Sequence, residues 1–280
     1  LTLRQVIVNA DDLGWSPGVT DGILMAHRNG IVTSATLAAN MPDAERAAAL
    51  AASEPALGVG IHLNVCQGRP MSATGAKLAD RDGLMRLTGP GLIARCLCRP
   101  WLIGAALAEC EAQIRWVKNH GIRPTHMDSH RHVHAFWPLW VGIVRLARRY
   151  DIPFVRWPME RLPGPGWPGP PRQQARTAWL LRAMCAMNVA TGRSLRPTRW
   201  TWGIAHTGSV NEAWLIHAAR SAPDGIIEVM THPGLPHDLD RRETRLLESR
   251  LTELNALCSP AVKNAFERQQ IELINYGQLS

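Results

Sequence analysis

The chain has 280 residues, 46% of them hydrophobic and 19% charged, long enough for a core that needs no disulfide staples and without an apolar run near the ~18 residues of a membrane span. The formal charge of +8 is spread out, its densest groups being Arg145/Arg148/Arg149 and Arg241/Arg242; with no nucleic-acid motif beside them, these argue against nucleic-acid binding and leave an anionic substrate or a membrane surface as partners. Six cysteines without a CxxC pair argue against a structural zinc site and read as reduced thiols of a cytoplasmic protein.

Residues 4–10, RQVIVNA, form a β-branched run expected to stop at Asp11-Asp12. Because the predicted strand begins at once, no signal peptide is expected. Ser16-Pro17-Gly18 is a helix start, with serine as cap and proline in the first turn; the helix runs to about Asn29 and stops at Gly30. A second strand is expected over 31–39, an Ala-rich helix over 43–52, and a third strand from Leu57 to Val65 with His62 near its end. Residues 66–100 are irregular and read as a long loop with a short hairpin or helix, placed as a lid. A helix over 103–119 leads into Arg123–Phe136, RPTHMDSHRHVHAF, which holds His126, Asp128, His130, His132 and His134.

Read as an extended strand, that segment places all five polar groups on one side. Burying four imidazoles and a carboxylate without partners costs several kcal/mol, and neutral imidazole is the commonest metal ligand; a metal site would satisfy part of the cluster. A helix over 137–150 and a strand over 152–157 follow. Pro163–Pro171, PGPGWPGPP, holds neither regular helix nor interior strand. Helices are expected at 174–190 and 211–221 around a short strand at 200–205. The last strong strand, Ile226–Met230, ends on Thr231-His232-Pro233-Gly234. Helices over 240–257 and 260–269 and a strand over 271–275 close the chain.

Strand then helix repeats about seven times, the pattern of a parallel α/β barrel or wound sheet. Four strand ends (Asp11/Asp12, His62, the histidine segment and His232) would converge on one face. One carboxylate and two imidazoles with an open position make a catalytic rather than a structural metal site, and a mixed N/O donor set suits zinc without excluding magnesium. Eleven tryptophans against two tyrosines, among them Trp15, Trp137, Trp140, Trp157, Trp167 and Trp202 near loops or predicted site edges, offer flat faces to a sugar and serve as readily in a core.

The stretches NADDLGWSPGVTDGI from Asn9, NGIVTSATL from Asn29, VGIHLN from Val59, PTHMDSHRHVH from Pro124 and EVMTHPG from Glu228 resemble the YdjC-like carbohydrate deacetylase family, which includes chitooligosaccharide deacetylases and a hopanoid-associated branch. The resemblance implies one domain over 1–280, a distorted parallel (βα) barrel with variable loops at about 66–100 and 160–173. It implies removal of an N-acetyl group from an amino sugar, free or lipid- or natural-product-linked, with one divalent metal ion, zinc or magnesium. Position by position it makes Asp12, His62 and His130 metal ligands, Asp11 the general base and His232 the general acid, with a homodimer as one assembly. Asp128 is expected to hold a ligand imidazole, and His126, His132 and His134 to support the site or face substrate, His134 being an alternative ligand to His130. His27, His120, His206, His217 and His237 read as surface or helix-end groups. A metal-dependent phosphoesterase and a non-catalytic carbohydrate-binding protein are the rival readings.

Overall fold

The computed structural model describes residues 3–161, 169–242 and 244–279. The strands are β1 (Arg4–Leu13), β2 (Ser34–Leu37), β3 (Gly58–Leu63), β4 (Gln67–Gly68), β5 (Met85–Arg86), β6 (Met127–Ser129), β7 (Thr201–Trp202), β8 (Gly225–Thr231) and β9 (Glu272–Leu273). The helices are α1 (Pro17–Asn29), α2 (Ala44–Ala52), α3 (Gly89–Cys98), α4 (Trp101–Asn119), α5 (Trp137–Arg149), α6 (Arg172–Asn188), α7 (Glu212–Ser221), α8 (Glu248–Cys258) and α9 (Pro260–Arg268).

One curled parallel sheet, in the order β6-β3-β2-β1-β8-β7 with β9 beside the start of β1, organises the fold as a half-barrel, the expected distorted parallel barrel. Both faces of β1 are covered, which is why its sequence is a continuous apolar run rather than an alternation. Helices pack outside it, α1 on α8, α7 on α9 and α4 on α5. The start of α1 is built as expected: Ser16 Oγ accepts from Val19 N, and Pro17 sits in the first turn.

Four expectations are corrected. β1 does not stop at the carboxylate pair but continues to Leu13. Its register against β2 shifts between Ala10 and Leu13, where Asp12 takes φ 71°. The histidine segment is not one strand: β6 is three residues long, and His130–Ala135 is a 3-10 turn in which Arg131 and His132 have φ of 59° and 53°. This turn destroys the two-residue period, so the imidazoles point to different places. Residues 152–157 form no ladder. The chain from 152 to 159 instead bridges the two sheet edges, with Met127 N donating to Phe154 O and Arg156 N to Met127 O on one side, and Thr201 N donating to Met159 O on the other. The helix expected from 240 begins only at Glu248, because Asp240 turns its carboxylate onto Arg242 N and competes with helical bonding there.

The irregular stretch 66–100 holds the small antiparallel pair β4–β5 and the helix α3. Within Pro163–Pro171, residues 163–168, Trp167 included, lie outside the described residues.

Candidate active site

The site forms where parallel neighbours end together. His62 on β3 lies in register with Asp128 on β6, so both side chains leave the sheet on one side. His62 Nδ1–H donates to Asp128 Oδ1 at 2.7 Å, which leaves Nε2 facing inward. Gln67 does the same for His130: Nε2–H donates to its Oε1 at 2.7 Å, which frees Nδ1. The bulge in β1 turns Asp12 toward both rings, with Oδ1 at 3.3 Å from His62 Nε2 and 3.3 Å from His130 Nδ1. The two ring nitrogens are 3.4 Å apart.

The other oxygen of Asp12 accepts from Arg250 Nη2 at 2.6 Å, whereas the buried Oδ1 has no hydrogen-bond partner among the described residues. Three donor atoms thus converge on one point from separate elements. Carboxylate–imidazole pairs of the Asp128–His62 kind orient metal-binding histidines in general. Burial lowers the proton affinity of His62, but the charge of Asp128 and the nearby Asp12 carboxylate outweigh burial and push it up to about 10.

Asp11 sits behind this triad. Arg156 grips it with two bonds, Nη1 to Oδ2 at 2.7 Å and Nη2 to Oδ1 at 2.6 Å, and Asn9 Nδ2 adds a third at 2.9 Å. Burial raises its pKa, but the Arg156 guanidinium outweighs burial and holds Asp11 well below the usual carboxylate range. The same guanidinium donates to Glu228 Oε1 from Nε at 2.8 Å and from Nη2 at 2.6 Å, and pairs with Asp128 at 2.5 Å. His232 is buried at the end of β8. Burial pushes its imidazole down to about 4, so it is neutral near pH 7. Its backbone N–H is held by Glu253 Oε2 at 2.6 Å.

Asp11, Asp12, His62, His130 and His232 all line one pocket of about 630 Å³. Its outer walls include apolar side chains (Ile93 on α3; Leu180, Leu181 and Met184 on α6), and Arg131, Arg241, Arg242 and Arg245 also line it.

The remaining histidines separate. His132 is buried and lines the pocket. His134 bonds Ser129 Oγ and Arg156 O, away from the triad. His126 bonds Asn9 and stacks on Tyr276 at 3.8 Å between ring centroids, and so serves the core. His206, expected at the surface, is buried beside Trp214. Trp140, Trp157 and Trp202 are core residues. Trp15 is buried with its ring 4.9 Å from that of His130, and Trp137 is exposed.

Sequence reasoning missed Arg156, Arg250, Gln67 and Glu253. Arg156 alone left a signal, as a single charge inside the apolar run IPFVRW.

The family model described as YdjC-like protein matches residues 5–268. A carbohydrate deacetylase of Brevibacillus brevis is 31% identical over 283 residues, 98% of this chain and 99% of that protein. One of Clostridium beijerinckii is 37% identical over 277 residues, 98% and 100% of the two chains. A crystal structure from Enterococcus faecalis V583, named for cellobiose-phosphate cleavage, superposes over 100% of both chains with a TM-score of 0.77 at 24% identity, and so shares the fold.

Proposed function

The chain belongs to the YdjC-like family, and on that premise we propose that it is a metal-dependent carbohydrate deacetylase, hydrolysing the N-acetyl group of an amino sugar to acetate and a free amine. The observation that carries the reading is the convergence of Asp12 Oδ1, His62 Nε2 and His130 Nδ1 within 3.4 Å of one another, in the pocket that also holds Asp11 and His232. Full-length relatives named carbohydrate deacetylase support it.

The residues present fit a divalent ion. The carboxylate oxygen that lacks a partner among the described residues is the one facing both imidazoles, and each imidazole already donates its other N–H elsewhere. Charge points the same way: among the described residues, Asp11, Asp12, Asp128 and Glu228 meet only two guanidiniums, Arg156 and Arg250. A proton on His62 or a cation in its place reduces the deficit. Asp12, His62 and His130 would hold the ion, zinc or magnesium, which supplies Lewis acidity toward the acetyl carbonyl and makes water a stronger acid.

The other groups act as follows. Arg156 keeps Asp11 ionised and fixed in orientation, ready to accept a proton from the attacking water as general base. His232 is the general acid that delivers a proton to the departing amine. Because its imidazole is neutral in the free enzyme, the proton it delivers is the one Asp11 has taken from the water, passed on before the C–N bond breaks. The inventory balances, since water contributes a hydroxyl to acetate and a hydrogen to the amine. The apolar side chains lining the pocket support an acceptor with a lipid or natural-product substituent. A cytoplasmic setting completes the reading, and the six cysteines, all free, are compatible with it.

The test is acetate release from N-acetylglucosamine oligomers and N-acetylated glycoconjugates, with and without chelator. Chelator-sensitive release is expected. None across a broad panel with metal supplied, or phosphate release from aryl phosphates instead, would overturn the proposal.

A further inference from the structure

α6 is poorly buried for a helix of 17 residues: only Leu181, Cys185 and Asn188 are buried. At 100° per residue, Arg172, Arg176, Trp179, Ala183 and Met187 fall on a single stripe about 25 Å long. Trp179 is 72% and Met187 70% exposed. The stripe is segregated along its length, cationic in the first two turns and apolar in the last two. The neighbouring stripe of the same helix (Gln173, Thr177, Leu180, Met184) lines the pocket. The outward face of α6 is therefore the outer lip of the site's own opening.

The chain flanking it carries charge of one sign. Between Glu160 and Glu212 the sequence has seven arginines and no aspartate or glutamate. α3, which lines the same pocket through Pro90 and Ile93, also lacks a carboxylate and exposes Leu97 one turn past Ile93. No described helix is long and apolar enough to cross a membrane.

We propose that the pocket mouth docks on an anionic lipid surface, with α6 lying in the headgroup plane. Arginines beside an outward tryptophan and methionine match such an interface: guanidiniums reach lipid phosphates, indole sits at headgroup depth, and the apolar side chains enter the acyl boundary. A second copy of the chain fits less well, because two cationic faces repel. A purely electrostatic partner leaves Trp179 and Met187 without a role. Docked in this way, α6 would set the pocket entrance against the lipid. The inference concerns binding alone and is independent of the reaction at the pocket floor.

The full chain would be sedimented with phosphatidylglycerol/phosphatidylcholine vesicles and with pure phosphatidylcholine vesicles over a range of salt. Binding is expected to the anionic vesicles only and to weaken as salt rises. Arg172→Glu/Arg176→Glu and, separately, Trp179→Ser should each lower vesicle affinity by about tenfold or more. Neither variant touches the pocket lining, so acetate release from a water-soluble N-acetylated oligosaccharide, where observed for the parent, should be retained, and circular dichroism should report an unchanged fold. Equal binding to neutral vesicles, no binding at low salt, or full binding by Trp179→Ser would overturn the proposal. So would a dimer in light scattering that dissociates in Trp179→Ser, since the face would then cover itself.

Discussion

At the scale of single residues, Arg156 determines more than any ligand does. It is fully buried among Asp11, Asp128 and Glu228, and removing one partner of a buried ion cluster strands the others. Arg156→Met should therefore cost about 3–5 kcal/mol of folding stability by urea titration. His62→Ala should lose bound metal and activity together, measured by elemental analysis and acetate release. Asp11→Asn should keep the metal while kcat falls by about 10²–10⁴; full activity there would remove Asp11 from the role of base. Glu253 gives a pH signature. Burial pushes its carboxyl from 4.5 up to about 8, so the folded state binds that proton more tightly than the unfolded chain. Its contribution is complete below pH 4.5 and is lost as pH rises through 8. Glu253→Gln should lack that decline, so the parent should lose stability relative to the variant between pH 5 and pH 8.

Among elements, the strands that end in polar groups were legible, because carboxylates and imidazoles interrupting apolar runs mark where a parallel sheet hands over to its loops. The choice of Asp12, His62 and His130 among those groups comes from family resemblance, and the structure brings the three together. The turn at His130–Ala135 was not legible. Left-handed backbone at Arg131 and His132 has no glycine or asparagine to announce it, and tertiary packing alone imposes it. Arg250 was hidden for another reason: it lies on α8, 238 positions along the chain from the Asp12 it holds, and no local pattern carries that distance. The loop bearing His232 depends on a close approach, since a Cβ at Gly22 of α1 would lie 2.5 Å from Gly234 Cα. Gly22→Ala should push that loop outward, cost about 1–3 kcal/mol in stability and lower kcat with it, as thermal melts and acetate assays would report.

For the whole molecule, the triad joins β1, β3 and the turn after β6, so an ion there ties separate parts of the half-barrel. An ion present at about 100 times its Kd stabilises the fold by ~2.7 kcal/mol. Chelation should lower Tm by several degrees, and re-addition of zinc or magnesium should restore it. The Arg156 cluster has a further consequence, for how such a protein can diversify. One counter-ion serves Asp11, the Asp128 that holds His62, and Glu228 on β8, so no mutation can retune one of them without disturbing the rest. Drift toward new acceptors is thereby channelled into the outer walls, α3, α6 and the arginine-bearing loop before α8, where side chains can change one at a time while the chemistry beneath them is inherited intact.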